Sequence, residues 1–203
     1  STYRGRAIFS RSTYQGWTTF TGSTYRGWAI FSRSTYRGRA TFNGSTYQGR
    51  ATFNGSTYQD EADFSGSIFY QEVYFGKNGD NSSFSRFTDC APQFYDETNH
   101  KNTLFGSHNN DFTVITDECY PIDLNSEGLP LDCKFLNSKQ KEYLEGNFQE
   151  IETINNEILE VKDPKENTKL LDTLESFEKE LYEWQEEATR VKVEDVAAED
   201  TES

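Results

Sequence analysis

An 11-residue unit repeated six times without a gap opens the chain and constrains its fold more than any other feature. The copies cover residues 1–66 and read STYRGRAIFSR, STYQGWTTFTG, STYRGWAIFSR, STYRGRATFNG, STYQGRATFNG and STYQDEADFSG. A fixed short period is typical of a solenoid, in which each unit packs only on its neighbours. Such an architecture serves first as a scaffold or a surface.

The spacing of aromatic residues within the unit indicates how the chain coils. Each unit has a tyrosine at its third position and a phenylalanine at its ninth, so aromatic residues alternate at spacings of six and five. Neither a helix nor an alternating strand sustains this pattern. We therefore expect short extended segments joined by corners, with one aromatic side chain pointing inward from each. Gly5, Gly16 and Gly22 mark corners where unusual backbone angles are expected.

The segments STYRG, AIFSR, STYQG, ATFNG and DFSG resemble the motif of the pentapeptide-repeat family, which is a small residue, any residue, a large apolar residue and two turn-favouring residues. The resemblance covers residues 1–66 well and residues 67–136 loosely. It implies a mainly β fold, a right-handed parallel β-helix in which four pentapeptides make one square coil. Every second segment here has six residues instead of five, and residues 1–22 match residues 23–44 best. This quadrilateral solenoid should therefore have about 22 residues per coil.

Three further segments follow the regular repeats. Residues 67–137 keep the aromatic spacing in blurred form, and we interpret them as degenerate coils with loops, with a separate small β domain as the alternative. Their expected inward residues are Phe69, Phe75, Phe84, Phe94, Phe105, Phe112, Leu124 and Phe135. Residues 138–193 are predicted to be a C-terminal α-helical segment. The composition of residues 194–203 is acidic and typical of disorder.

Two apolar stripes predict the helices of this segment. Ser138 is the expected cap of the first helix, and Asp163 with Glu166 suggests a capping box at the second. The second stripe keeps a spacing of three and four and predicts one contact seam, formed by Leu170, Leu174, Phe177, Leu181, Trp184 and Val191. Such stripes are typical of a helical hairpin and of an intermolecular coiled coil, and the sequence leaves both open.

Charge divides the chain into a basic beginning and an acidic remainder. Residues 1–59 contain eight arginines and no acid, whereas residues 60–203 contain twelve Lys or Arg and 34 acids. Blocks of opposite sign indicate pairing within the chain or association between copies. The predicted interaction surface consists of Arg4, Arg11, Trp17, Arg26, Trp28, Arg33, Arg37 and Arg39.

The 22-residue period stacks arginines and tryptophans in two columns, Arg6–Trp28–Arg50 and Trp17–Arg39–Glu61. Alternating Arg and Trp favours cation–π contacts worth about 0.5–1 kcal/mol each when exposed. The same period places Arg4 beside Arg26 and Arg11 beside Arg33. Like charges about 4.8 Å apart repel, so this stripe favours an anionic partner over a merely solvated surface.

Three kinds of anionic partner fit this surface: nucleic acid, a polyanionic glycan, and the acidic helices of another copy. Nucleic-acid platforms stack bases on exposed aromatic rings. Here the tyrosines and phenylalanines are needed inside the solenoid, which leaves only Trp17 and Trp28 for stacking. This shortage disfavours nucleic acid.

The sequence offers no motif for catalysis or for a cofactor. Cys90, Cys119 and Cys133, with His100 and His108, lack the short spacings of a metal site. We interpret the cysteines as buried thiols, with a Cys119–Cys133 disulfide as the alternative in an oxidising compartment. No phosphate-binding loop or paired catalytic motif is present. No apolar run approaches the roughly 18 residues that span a bilayer, so no membrane partner is expected.

The leading hypothesis is therefore a non-enzymatic structural or self-assembling protein, whose main partner is another copy in a homo-oligomer or filament. We expect the first coil to offer unpaired backbone groups to another chain. An acidic protein partner and a polyanion are alternatives. Some pentapeptide-repeat proteins resemble B-form DNA in shape and charge and inhibit a type II topoisomerase. The basic repeats of this chain argue against that role.

Overall fold

Two-residue strands that recur every five or six residues build most of the protein. The computed structural model describes residues 1–77 and 83–191, and the acidic residues 194–203 lie outside this range. In residues 1–66, the regular coils, the strands are β1 (Thr2–Tyr3), β2 (Ala7–Ile8), β3 (Thr13–Tyr14), β4 (Thr18–Thr19), β5 (Thr24–Tyr25), β6 (Ala29–Ile30), β7 (Thr35–Tyr36), β8 (Ala40–Thr41), β9 (Thr46–Tyr47), β10 (Ala51–Thr52), β11 (Thr57–Tyr58) and β12 (Ala62–Asp63). In residues 67–135, the later coils, they are β13 (Ile68–Phe69), β14 (Val73–Tyr74), β15 (Arg86–Phe87), β16 (Tyr95–Asp96), β17 (Lys101–Asn102), β18 (Leu104–Phe105) and β19 (Lys134–Phe135).

Seventeen of these strands stack into four parallel sheets, one for each side of a coil, and β16 and β17 form a separate antiparallel pair. The sheets have the orders β1-β5-β9-β13-β18-β19, β2-β6-β10-β14, β3-β7-β11-β15 and β4-β8-β12. Thr2 pairs with Thr24, and Thr24 pairs with Thr46. The hydrogen bonds from the Ser23 N–H to Ser45 Oγ and from the Ser45 N–H to Ser67 Oγ likewise join residues 22 apart. The predicted parallel β-solenoid with about 22 residues per coil is confirmed.

Stacked aromatic rings fill the interior of the solenoid. In one column the Tyr25 ring lies 4.8 Å from Tyr47, and Tyr47 lies 4.5 Å from Phe69. Neighbouring columns meet edge to face, as Tyr25 meets Phe31. These geometries suit the ring quadrupole and add about 0.5–1.5 kcal/mol per pair to the gain from burial. The prediction of one inward aromatic per side is confirmed by zero exposure at Tyr25, Phe31, Tyr36, Phe42, Tyr47, Phe53, Tyr58 and Phe64.

Serines at the first position of the unit link each coil to the preceding one. The Ser34 hydroxyl donates to the Phe9 carbonyl oxygen at 3.0 Å, and the Ser56 hydroxyl donates to the Phe31 carbonyl oxygen at 2.9 Å. The Ser12 backbone N–H in turn donates to Ser34 Oγ at 3.3 Å. These bonds satisfy backbone groups that the corner would otherwise leave without partners. The serine is therefore part of the corner and not only a small neighbour of a ring.

Glycines serve two different purposes at the corners. Gly22 has a φ of 62°, in the left-handed region that favours glycine, as expected. Gly5 and Gly16 have no such positive φ, so the expectation of unusual backbone angles there is wrong. The reason for glycine in their columns is close approach between coils. A Cβ added at Gly49 would lie 2.5 Å from the Gly27 carbonyl oxygen.

The sheets continue through the later coils, where insertions interrupt the regular spacing. Ile68 pairs in parallel with Leu104, and Leu104 pairs in parallel with Lys134. The hydrogen bond between Ser56 and Ser85 spans 29 residues instead of 22. Most of the predicted inward residues lie in the core here as well: Phe69, Phe75, Phe94, Phe105 and Phe112 are buried, and Phe135 packs partly buried against them.

Two predicted inward residues of the later coils, Phe84 and Leu124, are wrong. Phe84 is 36% exposed, and Leu124 is 47% exposed. Because the insertion shifts the frame, Ser85 takes the corner position that serines hold in the repeats. The inward position then falls on Phe87, whose ring lies 4.8 Å from that of Tyr58. Leu124 lies in an isolated antiparallel bridge and not in a parallel strand.

Residues 136–188 form a separate compact unit of two helices. Helix α1 (Ser138–Glu160) is capped by Asn137, whose side chain accepts a hydrogen bond from the Gln140 N–H. The Gln140 side chain accepts in return from the Asn137 N–H, which completes a capping box. The cap is therefore Asn137 instead of the expected Ser138.

Helix α2 (Pro164–Ala188) begins after Asp163. The Asp163 carboxylate accepts a hydrogen bond from the Lys165 N–H at 3.1 Å, as capping residues do. The two helices pack on each other, and the rings of Tyr143 and Trp184 lie 4.7 Å apart. Neither of these helices contains a stretch long and apolar enough to cross a membrane.

The chain leaves the helical conformation before Val191. Helix α2 ends at Ala188, so the prediction that Val191 belongs to the helical seam is wrong. Instead, the Thr189 carbonyl oxygen accepts from the Asn102 N–H at 2.9 Å, and the Val191 N–H donates to the His100 carbonyl oxygen at 2.8 Å. These backbone bonds compete successfully with a further helical turn.

Candidate interaction surface

One side of the solenoid carries a groove bordered by arginines. The groove lies over the sheet β2-β6-β10-β14, and its border residues occupy the sixth and eleventh positions of the first, third and fifth units. Among residues 1–77 and 83–191, its lining contains four arginines and no acidic residue. We call it the arginine groove, and it is lined by Arg6, Ser10, Arg11, Trp28, Ile30, Ser32, Arg33, Arg50, Thr52 and Asn54.

A tryptophan clamped by two guanidinium groups forms one border of the groove. Trp28 is 49% exposed. The Arg6 guanidinium carbon lies 5.7 Å from the ring centroid, and that of Arg50 lies 5.2 Å away. Because these arginines come from the two adjacent coils, they approach the ring from both sides. The predicted cation–π column is confirmed, and it holds both positive charges at fixed positions.

Acidic residues of the following coils partly neutralise the positive charge of Arg39 and Arg50 in these columns. Arg39 contacts the Trp17 ring at 5.5 Å and forms an ion pair with Glu61 at 2.9 Å. Arg50 lies 3.6 Å from the Glu72 carboxylate. Exposed pairs of this kind contribute only about 0–1 kcal/mol each.

The opposite border of the groove consists of two strained arginines. Arg11 and Arg33 both have a φ of 58°. This left-handed conformation costs a residue other than glycine about 1–2 kcal/mol. The remaining four units have glycine at this position. The Arg11 N–H donates to the Ser32 carbonyl oxygen at 3.1 Å, so the two arginines lie in register on adjacent coils. Strain and like-charge repulsion therefore act on the same pair.

Polar groups form the floor of the groove. The Ser32 hydroxyl donates to Asn54 Oδ1 at 2.5 Å and lies 3.0 Å from the Thr52 hydroxyl. The Asn54 side-chain nitrogen is buried and has no hydrogen-bond partner among residues 1–77 and 83–191. The guanidinium groups of the lining offer hydrogen-bond donors and positive charges, which is the chemistry that binds carboxylates and other oxyanions.

The structure gathers only part of the predicted surface at this groove. Arg11, Trp28 and Arg33 line it together. Arg4 and Arg26 follow strands of another sheet. Arg26 is half-buried, against the expectation that it is exposed. The remaining predicted residues outside the groove are Arg37, which donates to Gln15 at 3.0 Å, and the pair Trp17 and Arg39.

The predicted interaction surface omitted seven of the ten groove residues, among them Arg6, Arg50 and Asn54. Arg6 and Arg50 flank Trp28 in the predicted column, so the 22-residue register contained the signal for both. Asn54 had no such signal, because its burial depends on the neighbouring coils.

Burial favours the neutral forms of the tyrosine hydroxyls and of one cysteine thiol inside the solenoid. Burial raises the pKa of the Tyr47 hydroxyl well above its ordinary value. The neighbouring Ser45 side chain lowers this pKa, but by less than burial raises it. Burial likewise raises the pKa of the Cys133 thiol to about 12. Cys90, Cys119 and Cys133 are all free. Within residues 1–77 and 83–191, no cluster of His, Cys, Asp or Glu is arranged to hold a metal ion.

The predicted helical seam lies on one side of α2. Leu174 and Leu181 are buried, and Leu170, Phe177 and Trp184 are half-buried. On α1 the buried side chains are Leu144, Phe148, Ile151 and Ile154. The opposite side of α2 is exposed and largely acidic, with Asp172, Glu180, Glu183 and Glu187.

Comparison of the chain with protein-family models, with curated proteins and with solved structures found no match. The strand spacing of five or six residues is consistent with a pentapeptide-repeat fold.

Proposed function

We propose that this protein is a non-enzymatic, self-assembling scaffold of the pentapeptide-repeat type, whose arginine-rich coils bind an anionic partner. A solenoid repeat fold suits a scaffold or an interaction surface, because stacked coils present a long regular exterior. The strand period and the single aromatic per side support the family assignment.

One observation carries the proposal of an interaction surface: arginine stands where the backbone favours glycine. Arg11 and Arg33 bear left-handed strain and lie beside each other on adjacent coils. Left-handed strain and repulsion between like charges both oppose folding. Residues held in unfavourable conformations concentrate at functional sites. We infer that the two guanidinium groups are kept because they bind an anion.

The anionic partner that we favour for assembly is another copy of the chain. Residues 60–203 carry a net charge of −22, against +8 for residues 1–59. Opposite charges on one chain allow basic coils of one molecule to meet acidic surface of the next. Association of this kind weakens with salt, because the Debye length falls from about 10 Å at 0.1 M to about 3 Å at 1 M.

Light scattering after size exclusion tests self-association directly. We expect a weight-average mass above that of the 23.4 kDa monomer at low salt, falling toward the monomer value at 1 M salt. A variant with the four groove arginines, Arg6, Arg11, Arg33 and Arg50, replaced by Gln should show the monomer mass at low salt as well. A strict monomer at every concentration and ionic strength would contradict self-assembly.

We also propose that the seam of α2 holds the helical hairpin together instead of joining two molecules. Leu181 is 4% exposed, whereas Leu159 on α1 is 82% exposed. Leu181→Glu should therefore remove most of the helical circular dichroism, because a carboxylate cannot be buried there unpaired. Leu159→Glu is the matched control and should leave the signal unchanged. If Leu181→Glu instead preserves helicity and halves the mass, the seam is an intermolecular coiled coil.

A further inference from the structure

We propose that the arginine groove of one copy binds the acidic stripe of α2 from a second copy, with that helix lying along the solenoid axis. The stripe consists of Glu180, Glu183 and Glu187, all exposed. The proposal rests on the proposed self-association and names the two surfaces that meet.

The spacing of charges along the two surfaces agrees. Adjacent coils are about 4.8 Å apart, so Arg11 and Arg33 are separated by one such step and Arg6 and Arg50 by two, about 9.6 Å. A helix rises about 1.5 Å per residue, which separates Glu180 from Glu183 by about 4.5 Å and from Glu187 by about 10.5 Å. One carboxylate can therefore meet each successive coil.

The chemistry of the groove also suits carboxylates on a helix. Its borders are guanidinium groups, which bind carboxylates with two parallel hydrogen bonds. Ile30 in the floor and Trp28 at the border add apolar surface beside these charges. Lys179 pairs with Glu183 only loosely, at 3.8 Å with both side chains well exposed, so this carboxylate remains available.

The same geometry argues against a single-stranded nucleic acid in the groove. Base-binding surfaces need an uncovered aromatic face. Arg6 and Arg50 approach Trp28 from the two adjacent coils and occupy its faces. The groove therefore offers charge without a stacking platform.

Arg11→Gly with Arg33→Gly separates binding from folding. Glycine relieves the left-handed strain, so the melting temperature of the double variant should rise while self-association weakens at least about tenfold. The matched control is Arg4→Gln with Arg37→Gln, which removes the same charge outside the groove and should change the dissociation constant by less than about twofold. Sedimentation equilibrium of the full chain at low salt gives these constants.

The stripe has its own matched pair of variants. Replacing Glu180, Glu183 and Glu187 by Gln should weaken association as much as the groove variant does. The control is Glu142, Glu150 and Glu157 of α1 replaced by Gln, which changes the net charge equally at exposed positions of the other helix. It should associate like the parent chain.

Charge reversal identifies the partners. Two variants are made. The first carries Arg11→Glu and Arg33→Glu in the groove, and the second carries Glu180→Lys, Glu183→Lys and Glu187→Lys in the stripe. Each variant alone should lose self-association. An equimolar mixture should associate again. Restored association supports the contact, and failure of the mixture to associate overturns it.

The remaining outcomes separate this contact from the proposed function. If groove variants weaken association and stripe variants do not, the coils still bind an anion but α2 is the wrong partner. If neither set weakens a salt-sensitive association, the groove is not the contact. If a labelled single-stranded oligonucleotide binds the groove and competes with self-association, the partner is nucleic acid and the proposal fails.

Discussion

The regular coils and the later coils share one aromatic core but build it from different residues. In the regular coils one inward position of each unit is tyrosine, and in the later coils phenylalanine continues the same columns. Tyr47 is followed by Phe69 and Tyr58 by Phe87, with the rings 4.5 and 4.8 Å apart. The stacking is the same on both sides of this change.

This difference shows that the core requires an aromatic ring at the inward position and does not require the tyrosine hydroxyl. Within residues 1–77 and 83–191, the buried hydroxyl groups of Tyr25, Tyr36, Tyr47 and Tyr58 make no well-formed hydrogen bond. The nearby side chains of Ser23, Ser34, Ser45 and Ser56 lower the pKa of these hydroxyls only in part. The Ser34 hydroxyl near Tyr36 already donates to a backbone carbonyl oxygen. An unsatisfied buried hydroxyl costs about 1–3 kcal/mol. The core of the regular coils therefore contains buried tyrosine hydroxyls that phenylalanine replaces in the later coils, and this difference can be tested.

High pH should separate the two regions most strongly. Burial is the main cause that raises the pKa of Tyr25, Tyr36, Tyr47 and Tyr58 in the folded chain. The unfolded chain releases these protons above about pH 10. A group whose pKa is higher in the folded state contributes stability that is lost as the pH rises. We therefore expect the regular coils to unfold at pH values above about 10, in step with tyrosinate absorbance.

The control for this prediction replaces the same four tyrosines by phenylalanine. This variant imitates the later coils throughout and should be more stable than the parent chain at neutral pH. Between about pH 10 and pH 12 it should lose much less stability than the parent in urea denaturation. Equal alkaline losses in the two chains would show that the tyrosines do not control the transition.

Truncation of a ring should reveal which positions belong to the shared core. Phe31 is fully buried, and its ring stacks on Phe9 and Phe53 at 5.1 and 5.0 Å. Phe31→Ala should lower the free energy of unfolding by about 3–5 kcal/mol. Phe84→Ala in the later coils should cost less than about 1 kcal/mol, because this ring lies outside the columns and 36% of it is exposed. Similar losses would mean that the columns do not dominate stability.

Adding one methyl group should show how closely the coils approach in each region. A Cβ on Gly49 would meet the Gly27 carbonyl oxygen, and a Cβ on Gly106 would meet the Tyr70 carbonyl oxygen. Alanine at Gly49 or Gly106 should therefore cost about 1–3 kcal/mol through displaced coils. Gly16→Ala is the control, because no atom lies within 4 Å of the added Cβ. Thermal unfolding of the three variants checks this ranking.

The smallest expected effect concerns the exterior of the regular coils. Trp28 is contacted by Arg6 and Arg50, and Trp17 is contacted by Arg39. Each exposed contact is worth about 0.5–1 kcal/mol. Trp28→Leu should therefore destabilise the chain by about 1–2 kcal/mol and Trp17→Leu by about half as much. Equal effects in urea denaturation would assign the loss to buried apolar area instead of to the guanidinium contacts.

Sequence reasoning succeeded where a feature repeats and failed where it occurs once. The 22-residue period followed from the match between successive pairs of units, so the sheet register and the buried columns were predictable. Phe87 was missed because an insertion moved the frame by seven residues, from 22 to 29. Its signal was the serine two residues earlier, Ser85, which repeats the Ser-X-aromatic pattern of the units.

The candidate site was less predictable than the fold. The columns placed Arg6 and Arg50 beside Trp28, so this charged border of the groove was predictable from the register. The left-handed backbone at Arg11 and Arg33 could not be deduced from those residues, because arginine ordinarily avoids this conformation. The equivalent glycines in four other units were the available hint.

Two units complete one coil, so it matters whether the number of units changes by an even or an odd number. Odd-numbered units place their exterior on one flank and even-numbered units on the other, and the arginine groove is drawn entirely from units one, three and five. Inserting 22 residues would lengthen the rod and leave this flank aligned. Inserting 11 would rotate everything downstream by half a turn and split the groove between opposite flanks. Because odd and even units face different flanks, substitutions can change one flank without changing the other. Adding or removing a single unit instead alters the residues on both flanks.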